Sequence, residues 1–120
     1  MFLGVFVDCF FMVGVPGFVR VGPYVYRVLL VGDDDPVLGG DLGCSSFDEL
    51  CIRLRGSLSL GMLCGVLLHE VLHACLYNSV GVSLDIVFEE FLVGALQSVL
   101  LGVLVDNPDL VGFLCGLGGV

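Results

Sequence analysis

The two histidines of this chain, His69 and His73, stand four residues apart in the pattern H-E-x-x-H, with Glu70 directly after the first. Four residues of an α-helix complete about 1.1 turns, so both imidazoles project from one face and can share one metal ion. Neutral imidazole is a good ligand for tetrahedral zinc, at ligand distances of about 2.0–2.1 Å. The pattern therefore predicts a zinc (Zn2+) site on His69 and His73.

Glu70 is placed to do chemistry at such a site. It lies about 100° round the helix from His69, where its carboxylate can reach a metal-bound water without binding the metal. A metal lowers the pKa of its water to about 7, and a nearby carboxylate can then take the proton as the oxygen attacks a carbonyl carbon. The predicted activity is hydrolysis, with Glu70 as the general base.

The alternative is that the pattern arises by chance in an ordinary core helix. The surrounding segment consists largely of Leu, Val, Met, Ala and Cys, and the chain has no other histidine. Three polar groups buried there without partners would cost several kcal/mol, which a bound metal would offset. Metal binding is the simpler interpretation.

A third ligand is expected from Glu89 or Glu90, which follow His73 by sixteen and seventeen residues. An antiparallel helix pair, joined by a loop around Gly81, would bring this part of the chain back beside the histidines. An acidic pair in the first turn of a helix is also favoured by the helix dipole alone. The spacing therefore does not choose between the two glutamates.

Several short segments have strand or loop patterns. Residues 15–31 are strand-like with a break at Gly22-Pro23, and residues 50–55 form a second short strand with Arg53 and Arg55 on its outer face. Residues 33–36 predict a solvated turn, and residues 39–46 predict loop.

Two helices follow these strands. The first is expected to begin after a serine cap, Ser57 or Ser59, and to end near Asn78. The second is expected from a cap at Ser83 or Asp85 to about residue 105, because Pro108 ends it. The tail from residue 109 is glycine-rich and is expected to fray. Asp106 and Asp109 could orient an imidazole, although solvation of a helix end explains both.

Charge and composition exclude some partners. The net charge is −9 with four arginines and no lysine, which excludes a phosphate-binding stripe for nucleic acid and disfavours an anionic membrane surface.

Apolar residues make up 58% of the chain and the mean hydropathy is +1.09. The abundant Val, Leu and Gly have codons rich in G and T, so coding bias explains much of this hydropathy. The longest uncharged stretch of the second helix, 91–105, is shorter than the about twenty residues of a membrane span. We therefore expect a cytoplasmic protein without a membrane span, although exposed Val and Leu make self-association plausible.

The six cysteines include no C-x-x-C pair, which predicts free, buried thiols in a reducing compartment. The first fourteen residues have no basic region and contain Asp8, unlike a signal peptide. They are interpreted as an extension or a first strand.

Residues 15–114, about four-fifths of the chain, resemble the small zincin-like metallopeptidases of bacteriophages and prophages, a gluzincin-type group. The resemblance is carried by V-R-V-G-P-Y-V-Y-R-V at 19–28, E-L-C-I-R-L-R at 49–55, H-E-V-L-H-A-C-L-Y at 69–77, E-E-F-L-V-G-A-L at 89–96 and L-V-D-N-P-D-L at 104–110.

The resemblance implies an α+β fold, with a small antiparallel sheet packed on the H-E-x-x-H helix and a second, antiparallel helix. It implies one domain over 15–114, preceded by the extension 1–14 and followed by a Gly-rich tail, 115–120. The glutamate that opens the family's E-x-x-V-x-x-L pattern is Glu90, which becomes the implied third ligand, with Glu89 as the fallback. The implied activity is that of a zinc metallopeptidase acting on a peptide or protein in the host cytoplasm.

Two other functions fit the same residues. One is a zinc-stabilised structural or interaction protein without turnover, since a short chain has little surface for a cleft. The other is an intramembrane metalloprotease, in which a later N-P-D motif, here 107–109, accompanies H-E-x-x-H. Only 33 positions separate Asp106 from His73, too few for the membrane spans such a protein needs between them.

Overall fold

A four-stranded sheet and three helices make up residues 14–79 and 85–118, the part of the chain described by the computed structural model. The strands are β1 (Phe18–Val21), β2 (Tyr24–Val31), β3 (Gly43–Ser46) and β4 (Cys51–Arg55). The helices are α1 (Leu60–Ser79), α2 (Ile86–Asp106) and α3 (Pro108–Gly118). The predicted α+β class is confirmed. The extension predicted at the N-terminus falls almost entirely outside the described residues.

The sheet is mixed, with strand order β1-β2-β4-β3. The pairs β1–β2 and β3–β4 are antiparallel, but β2 and β4 are parallel, with Arg27 opposite Cys51 and Val31 opposite Arg55. The expectation of an antiparallel sheet is therefore wrong. Parallel neighbours require a crossover connection, and here the chain leaves β2, returns along the far edge as β3 and turns back into β4 between them.

Strand β3 corrects the prediction that residues 39–46 are loop. Its sequence, G-C-S-S, has none of the β-branched or aromatic residues that indicate a strand. Pairing with β4, from Gly43 opposite Leu54 to Ser46 opposite Cys51, makes this segment extended. The strand is thus created by a tertiary contact rather than by local preference.

The core lies between the sheet and α1. Ile52 and Leu54 alternate on β4, so both side chains point to the same face, and both are fully buried. Their core cluster also contains Val21, Tyr26, Val28, Leu63 and Ala74. Burying each large aliphatic side chain contributes about 1.5–3 kcal/mol, and this cluster fixes α1 across the sheet.

The predicted helix starts are confirmed at Ser59 and Asp85. The Ser59 hydroxyl accepts a hydrogen bond from the Met62 amide at 3.3 Å, and the Asp85 carboxylate accepts one from the Val87 amide at 2.9 Å. Each satisfies an amide that the first helical turn leaves unpaired.

The tail predicted to fray from residue 109 is instead helix α3, which continues across the predicted domain end at 114. Pro108, which ends α2, occupies the first position of α3, where a missing amide proton costs nothing.

Arg55 ties the loop after β2 to the sheet. Its guanidinium donates to the backbone oxygens of Asp33, Gly39 and Asp41 at 3.0, 2.8 and 2.7 Å, and it faces the Asp33 carboxylate at 3.4 Å. Ser57, one of the two predicted helix caps, donates to that carboxylate at 2.6 Å instead. These bonds hold the predicted solvated turn at residues 33–36 to the end of β4.

Helix α2 is largely exposed, with Val93 as its buried residue. Its apolar side chains in contact with solvent include Ile86, Phe88, Phe91, Val99 and Val105. Within the described residues, the helical stretches Leu60–Asn78 and Ile86–Asp106 are long and apolar enough to cross a membrane by length and composition alone. Length and composition do not by themselves place a helix in a membrane, and the largely exposed α2 is not a core helix.

Of the five cysteines that the structure describes, the prediction of burial holds for Cys51 and is wrong for the other four. Cys51 is buried and Cys44 is half-buried, but Cys64, Cys75 and Cys115 are exposed. All five are free thiols, as predicted. Cys64 and Cys75 lie on α1 and Cys115 lies on α3. These cysteines are exposed because each of the two helices has a face that no other described element covers.

Candidate metal centre

Helices α1 and α2 run antiparallel and carry the predicted site residues. At one end of the contact His73 faces Glu89, and further along Gly65 faces Gln97. A Cβ on Gly65 would lie 3.0 Å from the side-chain amide nitrogen of Gln97. The glycine therefore allows α1 and the Gln97 side chain of α2 to approach closely. The antiparallel arrangement brings the first turns of α2 beside the histidines, as the sequence predicts.

His69, His73 and Glu90 each offer one ligand atom, and these three atoms lie within 4.8 Å of one another. Oε1 of Glu90 lies 3.4 Å from Nε2 of His69 and 2.6 Å from Nε2 of His73. Ligands about 2.1 Å from a tetrahedral zinc stand about 3.4 Å apart. The first distance matches that spacing, and the second is the length of a direct hydrogen bond. Two imidazoles and one carboxylate are a donor set that fits zinc.

Glu89 occupies a different position from Glu90. Its Oε2 lies 2.6 Å from Nδ1 of His73, the ring nitrogen that does not point towards Glu90. Histidine ligands of metals commonly donate their second ring N–H to a carboxylate, which fixes the ring orientation. The structure therefore distinguishes two glutamates that the spacing alone left equivalent. Asp106 and Asp109, the candidates named for this role, are exposed, and neither is bonded to either histidine in the described part of the chain.

The carboxylates around His73 alter its protonation. Burial lowers the pKa of His73, but hydrogen bonds to Glu89 and Glu90, together with the negative charges of Glu90 and Glu70, raise it above the usual value. An imidazole donates from both nitrogens only when it is protonated. The two carboxylates therefore favour the protonated form of the His73 imidazole.

Glu70 is the buried charged residue of the described chain, with 7% of its surface exposed. Its Oε1 accepts a hydrogen bond from the Ser45 hydroxyl at 2.7 Å. Sequence reasoning missed Ser45 because it lies in the segment predicted to be loop. No local signal identifies it, since its contact with Glu70 spans 25 residues.

The histidines open into a cleft of about 820 Å³. One wall is β3 with its flanking residues, the floor is α1, and the other wall is α2. Four carboxylates line the cleft, and no arginine is among the lining residues that the structure describes; the acidic residues are Asp41, Glu70, Glu89 and Glu90. The cleft therefore has a negative potential apart from any bound metal.

Tyr77, four residues past His73, lies against Phe47 rather than at the histidines. The two rings stack with centroids 4.2 Å apart and planes 10° from parallel. Phe47 lines the cleft and also packs edge-on against the buried Tyr26. Tyr77 therefore packs against Phe47 and does not contact the histidines in the described part of the chain.

Comparison with known protein families, with curated proteins and with solved structures gives no match to this chain.

Proposed function

We propose that this protein is a zinc-dependent hydrolase that cleaves peptide bonds in a cytoplasm, with Glu70 as the general base. The observation that carries the proposal is the meeting of His69, His73 and Glu90, whose ligand atoms come from two helices and lie within 4.8 Å of one another. The motifs of residues 15–114 that resemble small zincin-like metallopeptidases favour the same activity, and a phage-encoded chain would act in the cytoplasm of its host cell.

Each residue of the site would have a separate role. His69, His73 and Glu90 would hold the zinc, which would act as a Lewis acid and lower the pKa of a bound water. Glu70, buried beside His69 and facing the cleft, would accept a proton and return it to the leaving amine. Glu89 would hold the His73 ring through Nδ1, leaving Nε2 directed at the metal.

The cleft supports a peptide substrate. Its volume of about 820 Å³ falls within the range of about 300–1,000 Å³ found for ligand sites. The wall formed by β3 is an edge strand, whose unpaired backbone groups can bind an extended chain. A peptide or an unfolded protein segment therefore fits the site better than a compact folded surface does.

The test compares metal content and hydrolysis across matched variants. Purified wild-type protein is expected to contain about one zinc per chain by elemental analysis, whereas His69→Ala should lose it. Glu70→Gln should keep the zinc and lose hydrolysis of fluorescein-labelled casein. Glu49→Gln, a matched change at an exposed glutamate outside the cleft, should behave as wild type. Unchanged hydrolysis in Glu70→Gln would overturn the enzymatic proposal.

A second candidate is a zinc-stabilised protein without turnover. It is favoured by the packing of α2, whose buried residue is Val93 and whose polar contacts with α1 lie at the histidines. A metal there would join two helices that share little core. This candidate would be supported if the zinc-loaded wild-type protein does not cleave casein and has the same melting temperature as Glu70→Gln.

A further inference from the structure

The hydrogen bond between Ser45 and Glu70 joins the edge strand of the sheet to the centre of α1. The Ser45 hydroxyl donates to Oε1 of Glu70 at 2.7 Å, and its distance to the Glu70 backbone oxygen is 3.4 Å. A hydroxyl has one proton, and the ionised carboxylate is the stronger acceptor. The short contact is therefore the principal bond.

The backbone geometry fixes Ser45 at this position. Gly43, two residues earlier on β3, meets Val66 of α1, four residues before Glu70. Two strand residues advance about 6.7 Å and four helical residues about 6.0 Å, so the two contacts are in register along strand and helix. A Cβ on Gly43 would lie 2.7 Å from Val66 Cγ1 and 3.1 Å from the Arg53 carbonyl oxygen. Only a residue without a side chain lets β3 approach α1 this closely.

The second carboxylate oxygen of Glu70 remains free for the cleft. The one hydrogen bond that the described residues make to the Glu70 side chain involves Oε1. Among the described residues, no half-buried or buried side chain has a buried oxygen that lacks a partner. Oε2 has no hydrogen-bond partner among the described residues, and Glu70 lines the cleft. The two oxygens have different roles, one anchored and one available.

We propose that Ser45 is a positioning residue that anchors Oε1 of Glu70 and thereby directs Oε2 towards the reacting water. This inference rests on the proposed hydrolase function. A carboxylate free to rotate about its last bond presents either oxygen at varying distance from the cleft, and small misplacements of a catalytic group reduce rate more than they reduce binding. Ser45 would therefore act on kcat, through Glu70, without touching substrate or metal.

The test uses three variants of the zinc-loaded protein. Ser45→Ala removes the hydroxyl, Ser45→Thr keeps a hydroxyl in a residue suited to a strand, and Ser46→Ala is the matched control. The Ser46 hydroxyl accepts from the Glu49 amide at 3.3 Å and is not bonded to Glu70. With fluorescein-labelled casein, we expect kcat of Ser45→Ala to fall about 10-fold with KM within about twofold of wild type. Ser45→Thr should recover most of kcat, and zinc content should not change in any of the three.

A second measurement does not depend on turnover. The chain has four glutamates, Glu49, Glu70, Glu89 and Glu90, so carbon-13 labelling of glutamate carboxyl groups gives a spectrum simple enough to assign with Glu70→Gln. The Glu70 signal should shift in Ser45→Ala and remain in place in Ser46→Ala. An unmoved Glu70 signal, or a kcat equal to that of wild type, would overturn the positioning role. So would parallel losses of zinc, melting temperature and kcat that Ser45→Thr does not rescue, since these indicate a structural role.

Failure of the proposed function gives a different result. If the wild-type protein cleaves nothing while the Glu70 signal still shifts in Ser45→Ala, the hydrogen bond exists but the hydrolase proposal is overturned, and the positioning role with it. If the wild-type protein cleaves casein and Ser45→Ala cleaves it equally well, the hydrolase proposal survives and only the role of Ser45 is lost.

Discussion

Oε2 of Glu89 lies 2.6 Å from Nδ1 of His73, so adjacent glutamates on α2 reach opposite nitrogens of one imidazole. Because consecutive helical residues point about 100° apart, Glu89 and Glu90 straddle the His73 ring. An adjacent acidic pair can thus supply both a ligand and the group that orients another ligand.

This arrangement predicts unequal effects of two matched substitutions on zinc affinity. Glu90→Gln removes the proposed ligand and should release most of the zinc, whereas Glu89→Gln should weaken binding about 10- to 100-fold, as expected for a partner of a ligand. Competition with a chromophoric chelator measures both constants. Equal losses in the two variants would contradict the assignment, and Glu49→Gln serves as the unaffected control.

Removal of the metal should lower thermal stability. A ligand that binds only the folded state adds about 2.7 kcal/mol to the free energy of unfolding at a concentration 100 times its Kd. Because the polar contacts between α2 and α1 lie at the site residues, chelation should lower the melting temperature and should loosen α2 first. Melting curves and hydrogen exchange of α2 amides, with and without chelator, measure the two effects. A melting curve that chelation leaves unmoved would count against a structural contribution of the metal.

Substitution of Gly43 should destabilise the fold. In Gly43→Ala the new methyl group would lie 2.7 Å from Val66 Cγ1 and 3.1 Å from the Arg53 carbonyl oxygen, which is backbone and cannot rotate away. Overpacking of this kind costs about 1–3 kcal/mol. Gly40→Ala, where nothing lies within 4 Å of the added carbon, is the control. Urea denaturation compares them, and equal stability of the two variants would show that β3 does not approach α1 so closely.

The bonds that the Asp33 carboxylate accepts from Ser57 and Arg55 should weaken in acid. Hydrogen bonds from Ser57 and Arg55 lower the pKa of Asp33 below its ordinary value of 3.8. A lowered pKa in the folded state means that the ionised form stabilises the fold above pH 3.8, and that this stabilisation disappears as the pH falls below 3.8 through the folded value.

Asp33→Asn tests this prediction against Asp34→Asn, which removes neither hydrogen bond. The difference in free energy of unfolding between wild type and Asp33→Asn should be largest near about pH 6 and should shrink towards about pH 3. Urea denaturation at both pH values measures it. A difference that does not change with pH would contradict the role of the Asp33 charge.

The sequence by itself determined the local features of this protein. The spacing of His69 and His73 places both on one helical face because the helix repeats every 3.6 residues. Each helix cap was predicted to within two candidates, Ser57 or Ser59 and Ser83 or Asp85, because short polar side chains satisfy the free amides of a first turn. The α+β class was implied by the resemblance of residues 15–114 to small zincin-like metallopeptidases, and the structure confirms it.

Only the tertiary structure decided the remaining features, because they depend on contacts between distant segments. The parallel pairing of β2 with β4 and the existence of β3 arise from hydrogen bonds across the sheet, which no local pattern records. The separate positions of Glu89 and Glu90 depend on how α2 is rotated against α1. Ser45 contacts Glu70 because Gly43 lets the edge strand β3 lie close against α1. The two residues are 25 positions apart in the sequence, so only the packing of the folded chain brings them together.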